Sequence, residues 1–191
     1  MTEFEGIIRY YITDRAQLPA GVTLLDNIAR RLAAGIEMIQ LRERDLSARQ
    51  LHALAQQVLR LPNARHTRIL INDRSDIALA TGAAGVHLRA NSVSPSRIRS
   101  IAPPDFVIGV SCHSVADVCR AEDEGASFAV LGPIYASPGK GPPLGLGPLA
   151  DAAHRARIPV LALGGISSER IPECINSGAA GIAGISMFQR A

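Results

Sequence analysis

Short apolar runs rich in isoleucine and valine recur along the chain, and stretches with helical spacing of their apolar positions lie between them. The runs fall at residues 7–13, 37–42, 68–73, 85–88, 107–112, 128–134, 160–164 and 181–185. The helical stretches fall at 24–34, 48–61, 76–81, 95–101, 115–124, 146–155 and 168–177. Several helix starts are legible. Ser47 with Gln50, and Ser114 with Asp117, each place a side-chain acceptor at the cap and a polar acceptor three residues later. Ser94-Pro95 puts proline first in its helix, where a missing N–H costs nothing. Gly35, Gly82, Gly125 and Gly178 follow helices and are read as left-handed stops.

Strands that read as apolar on both faces, alternating with helices, predict a parallel (β/α)8 TIM barrel in a single domain over residues 1–191. An open, doubly wound sheet is the alternative. The eighth run is followed only by residues 186–191, so most of a final helix is lacking. The chain is also shorter than the ~250 residues usual for this fold. Either the chain stops short of its full length or a partner covers the exposed wall, and a homodimer is the expected partner state.

At 191 residues and 47% hydrophobic content, the chain can bury one sizeable core. Its net charge of +3 suits a small anionic molecule. No basic run is joined to an aromatic platform, so nucleic acid is not expected as a partner. Cys112, Cys119 and Cys174 are odd in number and lack CxxC spacing, which indicates neither a disulfide framework nor zinc. The acidic start, Met1-Thr2-Glu3-Phe4-Glu5, lacks the features of a signal peptide. No apolar run approaches the ~20 residues that span a bilayer. The expectation is a cytoplasmic protein with no membrane partner.

The last third carries the clearest chemistry. Leu131-Gly132-Pro133-Ile134-Tyr135, Leu163-Gly164-Gly165-Ile166 and Gly184-Ile185-Ser186 all end an apolar run in glycine or a small polar residue. A parallel sheet delivers backbone amides to a phosphate in this way. Reacting groups of a barrel gather at the carboxyl ends of its strands. There Gln40, Arg42 and Arg44 alternate onto one side, with Leu41 and Glu43 on the other. Arginine forks suit phosphate or carboxylate, though a bridge to a neighbouring acid reads equally well. Asn72-Asp73 fits either a magnesium ion held through carboxylate oxygen or a turn cap. His87 reads as an interior histidine and Cys112 as packing, while His113, just past Ser111-Cys112, is placed to move a proton near neutral pH. The long loop at 136–147 carries Lys140 at its tip, suited to a phosphate contact.

Taken in order, these pieces resemble the thiamine phosphate synthase/TenI superfamily over essentially the whole chain. The resemblance rests on Gln40-x-Arg42-x-Arg44, Ile71-Asn72-Asp73, Gly85-Val86-His87-Leu88 and Gly109-Val110-Ser111-Cys112-His113-Ser114. Leu131-Gly132-Pro133-Ile134-Tyr135 with Lys140, Gly164-Gly165-Ile166 and Ser186 complete it. It implies a barrel acting on a thiazole phosphate. Synthases join that to a pyrimidine diphosphate with magnesium and release pyrophosphate. TenI-type tautomerases aromatise a carboxylated thiazole phosphate by proton shuttling, without a metal. Carried over by position, Gly164, Gly165, Gly184 and Ser186 would hold the thiazole phosphate. Gln40, Arg42, Asn72, Ser111 and Lys140 would match the pyrimidine and diphosphate contacts, and Asp73 a magnesium ligand in a synthase.

Two departures tilt the balance. Arg44 stands where synthases have lysine, and Arg89-Ala90-Asn91-Ser92 replaces a segment that supplies them a second carboxylate. The expectation is therefore a TenI-like enzyme needing no cofactor, with His113 as proton shuttle. A magnesium-dependent synthase is the first alternative, and a non-catalytic phosphate-binding barrel the second.

Overall fold

The computed structural model describes residues 6–189, so the acidic start at 1–5 lies outside it, as do residues 190–191. Eight parallel strands close in sequence order into a barrel: β1 Ile8–Ile12, β2 Met38–Leu41, β3 Arg68–Asn72, β4 Gly85–Leu88, β5 Val107–Cys112, β6 Phe128–Leu131, β7 Val160–Leu163 and β8 Gly181–Gly184. Closure is made by β8 on β1, with Ile8 opposite Gly181 and Tyr11 opposite Gly184. The helices are α1 Leu24–Ala33, α2 Ala48–Leu59, α3 Ser75–Thr81, α4 Pro95–Arg99, α5 Val115–Asp123, α6 Leu146–Arg155, α7 Ile171–Asn176 and α8 Ser186–Gln189. The barrel expectation holds, and the eighth strand is followed by one turn of helix. No helix of the described residues is long and apolar enough to cross a membrane.

Alternation along the strands divides the buried residues into two layers. Tyr10, Ile12, Met38, Leu70, Val107, Phe128, Val130, Leu161 and Ala183 fill the barrel. Their neighbours Tyr11, Ile39, Ile71, Val86, Ile108, Ala129, Ala162 and Ile182 face outward and pack under the helices. Because the parity is fixed by this division, the inward set continues upward into Gln40, Asn72, His87 and Ser111. The barrel is apolar at its base and polar at its mouth.

The local signals operate as read. Ser47 and Gln50 form a reciprocal capping box on α2. Ser114 Oγ caps α5 by accepting from the Asp117 amide at 3.0 Å. Gly35, Gly82, Gly125 and Gly178 all have φ between 70° and 90°.

Candidate active site

Four strands contribute to one buried polar chain in the barrel. The Gln40 carboxamide on β2 donates to Tyr10 Oη on β1 at 2.9 Å. Tyr10 Oη lies 3.2 Å from His87 Nδ1 on β4, and His87 Nε2 lies 2.9 Å from Ser111 Oγ on β5. Tyr10, Gln40 and His87 are almost wholly buried. Burial pushes the His87 imidazole down to about 3, assisted by the charge of Arg42, so the ring is neutral. Burial pushes the Tyr10 phenol up, so it keeps its proton. Gly109 makes room for this chain, since a Cβ there would stand 2.3 Å from the Phe128 ring and 2.8 Å from His87 Nδ1.

Arg42 is set by a rack at the ends of β1 and β2. Its amide donates to Thr13 Oγ1 at 2.9 Å, and that hydroxyl donates to the buried Glu43 carboxylate at 2.6 Å. Arg15 ties Glu43 down from the other side, Nη1 to Oε2 at 3.0 Å. A cavity of about 530 Å³ opens here, with Arg42 and Arg44 both in its wall. Burial lowers the Arg42 pKa, and the nearby charge of Arg44 adds to that.

His113 caps the β5–β6 seam. Its Nδ1 lies 2.8 Å from the Gly132 carbonyl, which can only accept, so Nδ1 carries the proton. Nε2 has no hydrogen-bond partner among the described residues and lies on an exposed side chain at the mouth. Asp117 fixes the backbone by accepting from the His113 amide at 3.1 Å.

The glycine ends of β7 and β8 lie side by side, with Leu163 opposite Ala183 in the ladder. Gly164 and Gly165 take φ of +97° and +63°, and any Cβ would meet Pro133 at 2.7 Å or the Ala136 carbonyl at 2.5 Å. Arg170 braces the turn, donating to the Gly165 carbonyl at 2.8 Å while its guanidinium lies 4.5 Å from the centre of the Tyr135 ring. Among the described residues, the amides of Gly165, Ile166, Ile185 and Ser186 donate to no backbone or side-chain acceptor. They are the free donors of a half-buried cup.

Asp73 follows β3 with φ of +55°, a conformation a few non-glycine residues adopt. Its Oδ2 accepts from Arg89 Nε at 2.7 Å and pairs again with the same guanidinium. Oδ1 is buried with no partner among the described residues. Magnesium needs several oxygens in octahedral array. No group of three or more His, Cys, Asp or Glu able to hold a metal occurs among the described residues. Asp73 thus keeps one carboxylate oxygen without a partner, and a magnesium ion there would need its other oxygens from water and a substrate diphosphate.

The family model described as thiamine monophosphate synthase matches residues 9–188. The chain belongs to the thiamine monophosphate synthase/TenI family. It is 44% identical over 181 residues to the putative thiamine-phosphate synthase 2 of Aquifex aeolicus, covering 94% of this chain and 96% of that one. It is 39% identical over 184 residues to the thiamine-phosphate synthase of Roseiflexus sp. strain RS-1, covering 95% and 78%. Among solved structures, thiamine phosphate pyrophosphorylase from Pyrococcus furiosus superposes with a TM-score of 0.83 at 29% identity, covering 95% and 86%.

Within this family member, the structure brings Gln40 and Ser111 into one chain and sets Arg42 beside Arg44. It also joins Gly164 and Gly165 to Gly184 and Ser186. Asn72 shares the inward face. Lys140 stands exposed on the β6–α6 loop, and no hydrogen bond or ion pair ties its side chain to the others. Sequence reasoning did not single out Tyr10 or Glu43 as working parts. Only the alternation that turned Glu43 away from Arg42 hinted at its separate role.

Proposed function

We propose that this family member acts on a thiazole phosphate as a tautomerase, without magnesium, with His113 moving the proton. The observation that carries this reading is the His113 ring: Nδ1–H is committed to the Gly132 carbonyl, and Nε2 is free at the mouth. Nε2 takes a proton from one atom of the non-aromatic ring, and the imidazolium returns it at another. Proton number is conserved and the ring becomes aromatic. The Gly132 carbonyl steadies the imidazolium while it exists.

The phosphate is held by the free amides of Gly165, Ile166, Ile185 and Ser186, on turns opened by Gly164 and Gly184. The cup and the base share one seam, because Pro133, next to Gly132, packs against Gly164. Arg42, Arg44, Gln40, Asn72 and Ser111 hold the remaining polar groups of the substrate, and Lys140 reaches the phosphate from its loop.

The names of the relatives favour a second reading, a thiamine-phosphate synthase. In it Gln40, Arg42, Asn72, Ser111 and Lys140 take a pyrimidine diphosphate, and Asp73 serves a metal through its unpartnered Oδ1.

His113→Asn tests the first reading. Conversion of the carboxylated thiazole phosphate should fall about 10²–10⁴-fold, while calorimetry shows thiazole phosphate still bound. Undiminished conversion removes His113 from the chemistry.

A further inference from the structure

The reaction as proposed does not use His87, a histidine buried inside the barrel. Its partners give it a direction. Gln40 donates to the Tyr10 oxygen, so the single phenolic proton is free to point at His87 Nδ1. A neutral imidazole that accepts at Nδ1 carries its proton on Nε2, and that proton points at Ser111 Oγ. A hydroxyl that accepts from below has its own proton left for the mouth. The opposite polarity needs the Gln40 carboxamide turned over, and it would leave Ser111 offering only lone pairs. Arg42 follows Gln40 at the end of β2 and brings positive charge to the mouth, and an anionic group drawn there needs a donor.

We propose that Tyr10 and His87 are positioning residues: a one-way hydrogen-bond relay from Gln40 through both rings holds the Ser111 hydroxyl as a donor to an anionic oxygen of the substrate. The inference rests on the reading of the substrate as a phosphorylated or carboxylated small molecule. It does not depend on which of the two reactions is run. The relay is built into the core, with Tyr10 edge-on to Phe128 at 5.4 Å and tilted to His87 at 5.6 Å between ring centroids. Tyr10→Phe keeps that packing and removes only the oxygen.

The test combines a spectrum with a mutant cycle. In the full chain labelled with 15N-histidine, His87 should show one neutral tautomer with the proton on Nε2 across about pH 5 to 8. In Tyr10→Phe the two tautomers should mix. Ser111→Ala should lower kcat about tenfold, the worth of one well-made hydrogen bond. Tyr10→Phe should lower it several-fold alone and no further in the Ser111→Ala background. A proton on Nδ1 in the unmutated protein, or losses that simply multiply, overturns the relay. If neither the thiazole nor the pyrimidine substrate is turned over, the functional reading fails. The tautomer spectrum then still decides the relay.

Discussion

At position 165 the backbone turns through φ of +63° with the Ala136 carbonyl 2.5 Å from where a Cβ would sit, so only glycine leaves the turn intact. Gly165→Ala should cost about 1–3 kcal/mol of stability in urea unfolding. It should also abolish the heat of inorganic-phosphate binding, because the amides of Gly165 and Ile166 lose their aim. Retained phosphate affinity would place the anion elsewhere. At this scale the sequence was a partial guide. Gln40 and Arg42 were legible because alternation puts them on one side of their strand, and Asn72 and Ser111 because they stand at the carboxyl ends of theirs. Tyr10 and His87 are 77 positions apart, and no local pattern carries a contact of that range. The pairing of Arg89 with Asp73 across 16 residues was hidden for the same reason.

Among the elements, starts and stops were legible where one side chain makes them, as at Ser47, Ser114 and the four helix-ending glycines. Boundaries set by backbone geometry were not. The sixth run reads as a strand to residue 134, yet β6 ends at Leu131 because Pro133 has no N–H for the ladder. Pairing resumes beyond it, with the Ile134 amide on the Leu163 carbonyl at 2.8 Å. The stretch 168–177 reads as one helix, whereas the chain makes a 3₁₀ turn at Ser168–Arg170 and then α7, which has Pro172 in its first turn. A prediction belongs here too, since the relay ties β1, β2, β4 and β5 together. The folded pKa of His87, about 3, lies below the ~6.5 of an unfolded histidine. Below pH ~6.5 the unfolded chain therefore binds a proton that the folded chain refuses. Stability from this group is complete above pH ~6.5 and falls as pH drops towards 3, by at most ~1.4 kcal/mol per unit. Urea unfolding at about pH 7 and pH 4.5 should show a smaller loss on acidification in His87→Gln than in the unmutated protein. An equal loss in both would mean that His87 is protonated in the fold.

Over the whole molecule, closure of eight short strands brings the glycine turns of β7 and β8 and the arginines that follow β2 to one mouth, with β1 between them. The fold was legible because buried strands, helix spacing and glycine stops repeat along the chain, each enforced locally. The division of the mouth was legible only in part. The glycine side follows from composition, but the pairing of Asp73 depends on where the Arg89 guanidinium lands. The most direct measurement sets two reactions side by side in the same preparation, each with magnesium and with a chelator. One offers the carboxylated thiazole phosphate alone, and the other offers pyrimidine diphosphate with thiazole phosphate. The account predicts the aromatic form of the carboxylated thiazole phosphate at one rate regardless of magnesium, and no pyrophosphate from the pair. Magnesium-dependent pyrophosphate and thiamine phosphate, with the carboxylated substrate untouched, would contradict it.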